Sequence, residues 1–564
     1  MSNPHDLPNP HDLPWEEYEK TLQPHEKPQM MGSPATPDHP WRRRLHYGAI
    51  GILVAMTGSL GNAVVTANIQ SLAGHLGVTL VEAAWLPVVF VMTNACMNLL
   101  LVKFRQQYGL QLFAKIMLGV FVAVCLANVF ASTFQSELLT RAIAGIAGAG
   151  MSTLGFLYLI QAFPAAHRLK GLIIGIGLSS FALPVARLTS SHLLDVAGWE
   201  GLYLSELGLA LLSLAAVFSL RLPPAQRIKA YAPLDFLTFA LFAPGVALLC
   251  AVLGLGRLVW WTEAAWIGWA LIGSILLLSA AFFVEFNRSK PLIDLKWLGG
   301  ADLIRLILAI LLLRVVLSEQ TSGSVGFLQQ MGLGLDQLHG LFWVILLAMI
   351  AGTAVSALSL NMAKLYKPIA IALALIAVGA FIDSHATVLT RPANLYFSQA
   401  LLAFASALFI GPALMIGIVQ VLTKAPQNIV SFIVTFSVVQ NVGGLAGGAL
   451  VGTVQTIREK FHSSQLSESI TLGDPQVVLR LQQLGGAYSR TQGDATLRAT
   501  DGLQLLQQQV SQQAHVLAYN DVFMLIAAAA AIGSAWTTFI HFRPRIEARR
   551  AARNADTTVA DMSH

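Results

Sequence analysis

"RAIAGIAGAGMSTLGFLYLIQAFPAAHRLKGLIIGIG", residues 141–177, decides the fold class. Two glycine-studded apolar runs flank a short link, "FPAAHRLKG", that carries two cations. An apolar run of about 20 residues, wound as a helix, covers the roughly 30 Å hydrocarbon core of a bilayer. Lys and Arg resist translocation, so cations between two such runs mark a cytoplasmic loop. The stretch reads as two membrane spans joined on the cytoplasmic side. Its first residue, Arg141, places a charge inside one of them.

The rest of the chain fits that reading. Of its 564 residues 55% are hydrophobic and 11% charged, against about 25% charged in soluble domains, and the mean hydropathy is +0.64. The formal charge of +6 reads as a topology signal, not a nucleic-acid footprint. Cys96, Cys125 and Cys250 lie in apolar runs without metal-ligand spacing and read as packing residues. Residues 1–45 are polar and begin with the repeat "NPHDLPNPHDLP" (3–14), which reads as a disordered cytoplasmic tail. Metal binding by His5 and His11 is the lesser reading there.

Apolar runs recur to the C-terminus, and fourteen spans are expected. With both termini inside, 24 of the 35 Lys and Arg fall on cytoplasmic segments and 7 on the opposite side. The expected architecture is an all-α integral membrane protein. It has a six-helix bundle over 46–220, two central helices over 221–300, a second six-helix bundle over 301–541 and a basic cytoplasmic tail at 542–564. The polar, Gln-rich segment 455–519 lies outside the cytoplasm, and its amphipathic pattern suits either a cap on the bundle or a docking surface.

A charge in hydrocarbon persists only where it meets water, a partner or a substrate. Arg305, Asp235 and Glu285 lie near the interface; Arg141, Arg187, Glu206, Arg314 and Glu319 lie deeper. In "LAILLLRVVLSEQTSG" (308–323), Arg314 and Glu319 are five residues apart, about 140° around a helix. Each therefore needs a partner from another helix or a watery cavity. Interhelical ion pairs, such as Arg187 with Glu206, are one outcome; a carboxyl that carries protons is the other. "GIAGAG" (145–150), "GLIIGIG" (171–177) and "GGLAGGALVG" (443–452) place Gly145, Gly148, Gly443, Gly444, Gly447 and Gly448 at helical spacing for close packing. With no phosphate loop, paired metal ligands or nucleophile grouping in the sequence, the chain reads as no enzyme, and an ion gradient is the expected energy source.

Taken together, these segments resemble the fourteen-span drug:proton antiporters of the major facilitator superfamily, EmrB-type permeases in particular, from about residue 45 to 541. "AFPAAHRLKG" (162–171) resembles the loop after span 4, "PLIDLKWLGGADL" (291–303) the segment leading to span 9, and "QQQVSQQAHVLAYNDVF" (507–523) the approach to span 14. In "RAIAGIAGAG", Arg141 falls on the family's arginine implicated in proton coupling. The family's span 1 Asp is absent: "LGNAVVTANIQSLAG" (60–74) has Gly61 there, followed by Asn62. "LPVARLTSSHLL" (183–194) keeps Pro184 of the span 5 antiporter motif but carries Arg187.

The resemblance implies proton-coupled efflux of amphipathic molecules across a bacterial inner membrane, with no cofactor beyond the proton gradient. It also implies a periplasmic adaptor of the EmrA type and an outer-membrane channel as partners, beside substrate and membrane lipid. Glu319, Glu206 and Arg141 are the expected coupling residues; Arg187, Arg314, Asn62 and Gln320 the expected cavity residues. Three bases against two acids favour an anionic or zwitterionic substrate. The alternatives are a proton-symporting importer of an organic anion, such as a siderophore or aromatic acid, and a non-transporting sensor or scaffold.

Overall fold

The structure, a computed structural model, describes residues 15–28, 32–289, 291–362, 365–425, 428–471, 473–486 and 494–561. The repeat with His5 and His11 lies outside them, as do the side chains of the tail 542–564. Hydrocarbon offers no hydrogen bond to a peptide group, so a spanning chain satisfies its backbone internally, here as helices. They are α1 (Trp41–Ala67), α2 (Trp85–Tyr108), α3 (Leu110–Val129), α4 (Phe134–Ala162), α5 (Arg168–Ser219), α6 (Pro233–Leu255) and α7 (Ala265–Phe286). After these come α8 (Ala301–Ser318), α9 (His339–Leu358), α10 (Tyr366–Asp383), α11 (Tyr396–Lys424), α12 (Ile429–Ser469), α13 (Pro475–Gly486) and α14 (Ala495–Asp561).

Twelve helical segments among the described residues are long and apolar enough to cross a bilayer, against the fourteen expected. Two features account for the difference. α5 is 52 residues long and is interrupted at Ala197 (φ −142°, ψ 15°) and Gly198 (φ 59°, ψ −153°), a backbone region open only to glycine. It therefore consists of two arms. The stretch from Ala301 to Gln330 is broken by a π turn, Glu319–Gly323, between α8 and a short helix, Ser324–Gln330; α8 has 18 residues, as many as α10, but its sequence carries three charged residues, Asp302, Arg305 and Arg314.

α1 packs on α4 and α5, and α3 on α4 and α5, around Tyr47, Phe113, Phe121 and Tyr158. In the other half α9 packs on α11, α10 on α11 and α14, and α12 on α8 and α14. The halves meet where α5 lies against α9 and α11, and where α2 lies against α12. α6 and α7 pair with each other, and α6 rests on both α2 and α12 beside that seam.

Between apolar helices in lipid, close backbone approach supplies much of the attraction. A Cβ on Gly145 would collide with Thr93 Oγ1 and the Phe90 carbonyl of α2, and one on Gly148 would lie 3.1 Å from the Gly58 carbonyl of α1. Gly447 brings α12 onto α8, where a Cβ would meet Ser318 Oγ and the Arg314 carbonyl. Gly443 and Gly444 lie along the Arg314 side chain, whereas at Gly448 the nearest atom to a Cβ is Ser322 Oγ at 3.9 Å.

The polar stretch after residue 454, whose amphipathic pattern suits helices, is largely helical in its described part: α12 runs on to Ser469, α13 lies along α14, and Arg480 Nη2 donates to Gln509 Oε1 at 3.2 Å. Before α1, the tail read as disordered is folded from Trp15 in its described part. Tyr18, Leu22 and Ala35 form a small core, and Arg168 donates to the carbonyls of His25 and Thr36. His39 is buried at the end of α4, its ring nitrogen Nε2 3.1 Å from Gln161 Oε1.

Gly145→Ala is expected to lower the thermal midpoint of the detergent-solubilised protein markedly, and Gly448→Ala to leave it within a degree or two; equal effects would refute the packing distinction. Burial holds His39 below its usual pKa of 6.5. The folded tail thus binds fewer protons than the unfolded one, and its stability falls as pH drops below 6.5 toward the lowered value. The hydrogen-exchange protection of residues 32–40, taken relative to the intrinsic rate at each pH, should fall on acidification through that window, and His39→Gln should remove that fall.

Candidate functional site

The buried charges fall into two sorts. At the end of the molecule nearest the N-terminal segment, Lys103 Nζ of α2 lies 2.6 Å from Asp235 Oδ2 of α6, and Arg288 Nη2 lies 2.7 Å from Asp235 Oδ1. Arg288 also reaches Glu285 of α7 at 3.2 Å, and Glu285 accepts from Thr238 and the Leu292 and Ile293 amides. Every charge here has an opposite charge. The network ties the α6–α7 pair to α2 and has the character of a structural staple.

The second sort lies deeper and is unbalanced. Arg141 of α4, 1% exposed, donates from Nε to Glu137 Oε1 at 2.9 Å, one helical turn earlier, and its Nη2 is 3.9 Å from Glu206 Oε2 on the second arm of α5. Its Nη1 donates to the Gly61 carbonyl of α1 at 3.4 Å, and its guanidinium sits 5.9 Å from the centre of the Tyr203 ring. A Cβ at Gly61 would collide with the Glu206 carboxyl. Position 61 is small because the Glu206 carboxyl fills its side-chain space. One guanidinium therefore serves two buried carboxyls.

The π turn organises the other cluster. A π turn misaligns the i→i−4 ladder and frees backbone groups, and such turns are frequent at functional sites. Glu319, fully buried, accepts at Oε1 from Ser324 Oγ at 3.1 Å and from Gln399 Nε2 of α11 at 3.0 Å. The same Gln399 nitrogen donates to Asp383 Oδ2 of α10 at 2.7 Å. Gln320 Nε2 donates to the Gln399 carbonyl at 3.3 Å. On another side of the turn, Arg187 Nη2 from α5 donates to the Thr321 carbonyl at 2.8 Å, its guanidinium 5.4 Å from the centre of the Phe342 ring.

Among the described residues neither Arg187 nor Arg314 has a carboxylate partner, and the Nε of each is buried without a hydrogen bond. Arg314 lies against Gly443 and Gly444 of α12. Asn62, one residue past Gly61, has its Oδ1 buried and unpartnered.

The structure thus joins Arg141 with Glu206, and Glu319 and Gln320 with Arg187 through the π turn. The Arg187–Glu206 pair is not formed, because each side chain is engaged elsewhere. The count of three bases against two acids is also corrected: Glu137 and Asp383 bring it to three against four. Glu137 was legible as the i−4 partner of Arg141. Asp383 sits at the last residue of α10, where the sequence "FIDSHAT" reads as a span end, and nothing in the sequence singles out Gln399.

Comparison with known proteins places the chain in a family. The Major Facilitator Superfamily model matches residues 50–448, and the chain belongs to that superfamily, one of multi-pass membrane transporters and not of enzymes. A stretch of 246 residues is 28% identical to the Major facilitator superfamily multidrug transporter mfsC of Aspergillus fumigatus, covering 43% of this chain and 46% of that protein. The matching stretch spans about half the length of that relative. The uncharacterized MFS-type transporter YhcA of Bacillus subtilis is 22% identical over 450 residues, 77% of this chain and 81% of that one. In fold, the chain is similar to the human organic anion transporter MFSD10 (TETRAN), with TM-score 0.52 and 15% identity over 87% of this chain and 100% of that one.

The two sorts of charge respond oppositely to neutralisation. Asp235→Asn leaves Lys103 without its carboxylate and is expected to cost about 3–5 kcal/mol of stability. Glu319→Gln removes a carboxyl that has no cation partner among the described residues and should leave the thermal midpoint unchanged or higher. Thermal unfolding of the two variants in one detergent checks the contrast, and destabilisation of both would make Glu319 another structural group.

Proposed function

We propose that this protein exports amphipathic small molecules across a bacterial inner membrane in exchange for protons, by alternating access of its two halves. The observation that carries the reading is Glu319: a fully buried carboxyl at a helix break, held by neutral donors alone among the described residues. A carboxyl in that setting is stable when protonated and strained when charged, which suits a group that gains and loses a proton each cycle. Glu206 is the second candidate, sharing Arg141 with Glu137. Arg141 keeps one carboxyl of its pair ionised, and a proton balances the other.

The proposed topology has fourteen crossings, with the two arms of α5 and the broken α8 segment each counted as spans, in two six-helix bundles with α6 and α7 between them. Both termini are cytoplasmic, as the distribution of Lys and Arg favours. Arg187 and Arg314, without carboxylate partners, are the groups that would meet a substrate's negative charge, with Asn62 and Gln320 supplying polar contacts. An anionic or zwitterionic amphiphile fits them better than a lipophilic cation. The A. fumigatus relative named a multidrug transporter supports transport of drugs as the substrate class. The resemblance to EmrB-type permeases adds a periplasmic adaptor of the EmrA type and an outer-membrane channel, for which the helical segment after residue 454 is the available surface.

The test is proton release from purified, detergent-solubilised protein on adding a panel of amphiphiles. Wild type should release protons, and Glu319→Gln or Glu206→Gln should abolish the release. Unchanged release in both variants would make these acids structural. Uptake by energised cells, instead of extrusion, would reverse the direction and favour an anion importer.

A further inference from the structure

Glu319, Asp383 and Gln399 come from the π turn, α10 and α11, and are respectively 0%, 1% and 0% exposed. Their hydrogen bonds can be counted. Gln399 Nε2 donates to both carboxyls, and Ser324 Oγ donates to Glu319. Glu319 Oε2, Asp383 Oδ1 and Gln399 Oε1 remain buried with no donor. Among the described residues no Lys, Arg or His forms an ion pair with either acid. The cluster has more acceptors than hydrogens, and the two carboxyls face one another across the shared amide. Two such carboxyls cannot both stay ionised in an apolar interior.

The surrounding elements supply little else that is charged. α14 places Phe523 against the turn and Tyr519 against Gly326 just beyond it, and α12 places Gly448 along the turn and Gly447 beside Ser318 just before it. Ser398 of α11 lies beside Asp383. Besides Tyr519, the charged or titratable neighbours among the described residues are Arg187, which holds the Thr321 carbonyl, and His385, two residues beyond Asp383. A metal ion fits poorly, because the Gln399 nitrogen occupies the space between the carboxyls with N–H donors. A proton on either carboxyl supplies the missing donor.

Asp383 also forms part of the wall of a cavity of about 350 Å³, open at the end of the bundle away from the N-terminal segment and lined by His385, Thr387, Thr390 and Asn394. That volume holds several waters. We propose that Glu319, Asp383 and Gln399 form one proton-binding site, in which the two carboxyls share a single proton that arrives from this cavity. The proposal rests on the reading of Glu319 as a coupling group and adds its second carboxyl, its bridging amide and its route. The π turn links the site to the other half of the protein. A change in load at Glu319 acts on the same five residues whose Thr321 carbonyl Arg187 holds.

The experiment is a potentiometric titration of the full-length protein in unbuffered detergent, without substrate, comparing wild type with Glu319→Gln, Asp383→Asn and the double variant. Glu206→Gln serves as the control. Removing either carboxyl removes the like charge that raises the other's hold on the proton, so in each single variant the shared proton is expected to leave at lower pH than in wild type, and the double variant is expected to bind one proton fewer than wild type. An unshifted titration in Asp383→Asn, or a loss of two protons in the double variant, overturns the shared site. So does sodium binding that disappears in Asp383→Asn at unchanged proton count. Should Asp383→Asn fail to fold by size exclusion, Gln399→Leu keeps both acids and should shift the same proton's titration; an unmoved curve refutes the bridge. In proteoliposomes, Thr390→Trp should slow proton exchange without altering the count, and an unchanged rate refutes the route. Loss of substrate-driven release in Glu319→Gln with a wild-type titration in Asp383→Asn would preserve the export reading and remove this one. A shared proton that substrate never displaces would do the reverse.

Discussion

Hydrocarbon provides neither water nor counter-ions, so each ionisable group inside this protein depends on what other helices bring to it. That constraint separates its charges. Asp235, Glu285, Lys103 and Arg288 satisfy one another and join α2, α6 and α7. Arg141 is shared by Glu137 and Glu206, while Glu319 and Asp383 have an amide between them and no cation among the described residues. A paired network rigidifies its surroundings. An unbalanced one remains responsive to a proton or a charged ligand.

The unbalanced groups lie where helices of different parts of the chain meet. Glu206 comes from the second arm of α5, yet its carboxyl occupies the side-chain space of Gly61 on α1 and faces Arg141 of α4. The sequence lacks the acid expected in span 1, but a carboxyl reaches that neighbourhood from another helix. The π turn works similarly between halves: its geometry turns Glu319 toward α10 and α11 and leaves the Thr321 carbonyl for Arg187 of α5. The broken helix and the inter-half contact are therefore one feature.

Much of the fold was legible because membrane helices announce themselves by length and hydropathy. The runs around Gly145, Gly447 and Asp235 are all found as helices near the expected positions. The break expected near residue 198 is present as a glycine kink between the two arms of α5. Less legible was the π turn in the run through Glu319, which sequence periodicity does not report. The polar segment after residue 454 reads as extramembrane, while its continuity with α12 and α14 comes only from the packing of those helices.

For the site, the sequence by itself determined which charges lie within apolar runs, since burial cost depends on local composition. It thereby singled out Arg141, Arg187, Glu206, Arg314 and Glu319. Only the tertiary structure decided their partners. Partnership depends on helix rotation and crossing, and on residues far apart in the chain, as with Gly61 and Glu206. Asp383 and Gln399 show the limit most clearly: an acid at a helix end and a glutamine in an apolar run carry no signal until α10, α11 and the π turn converge on them.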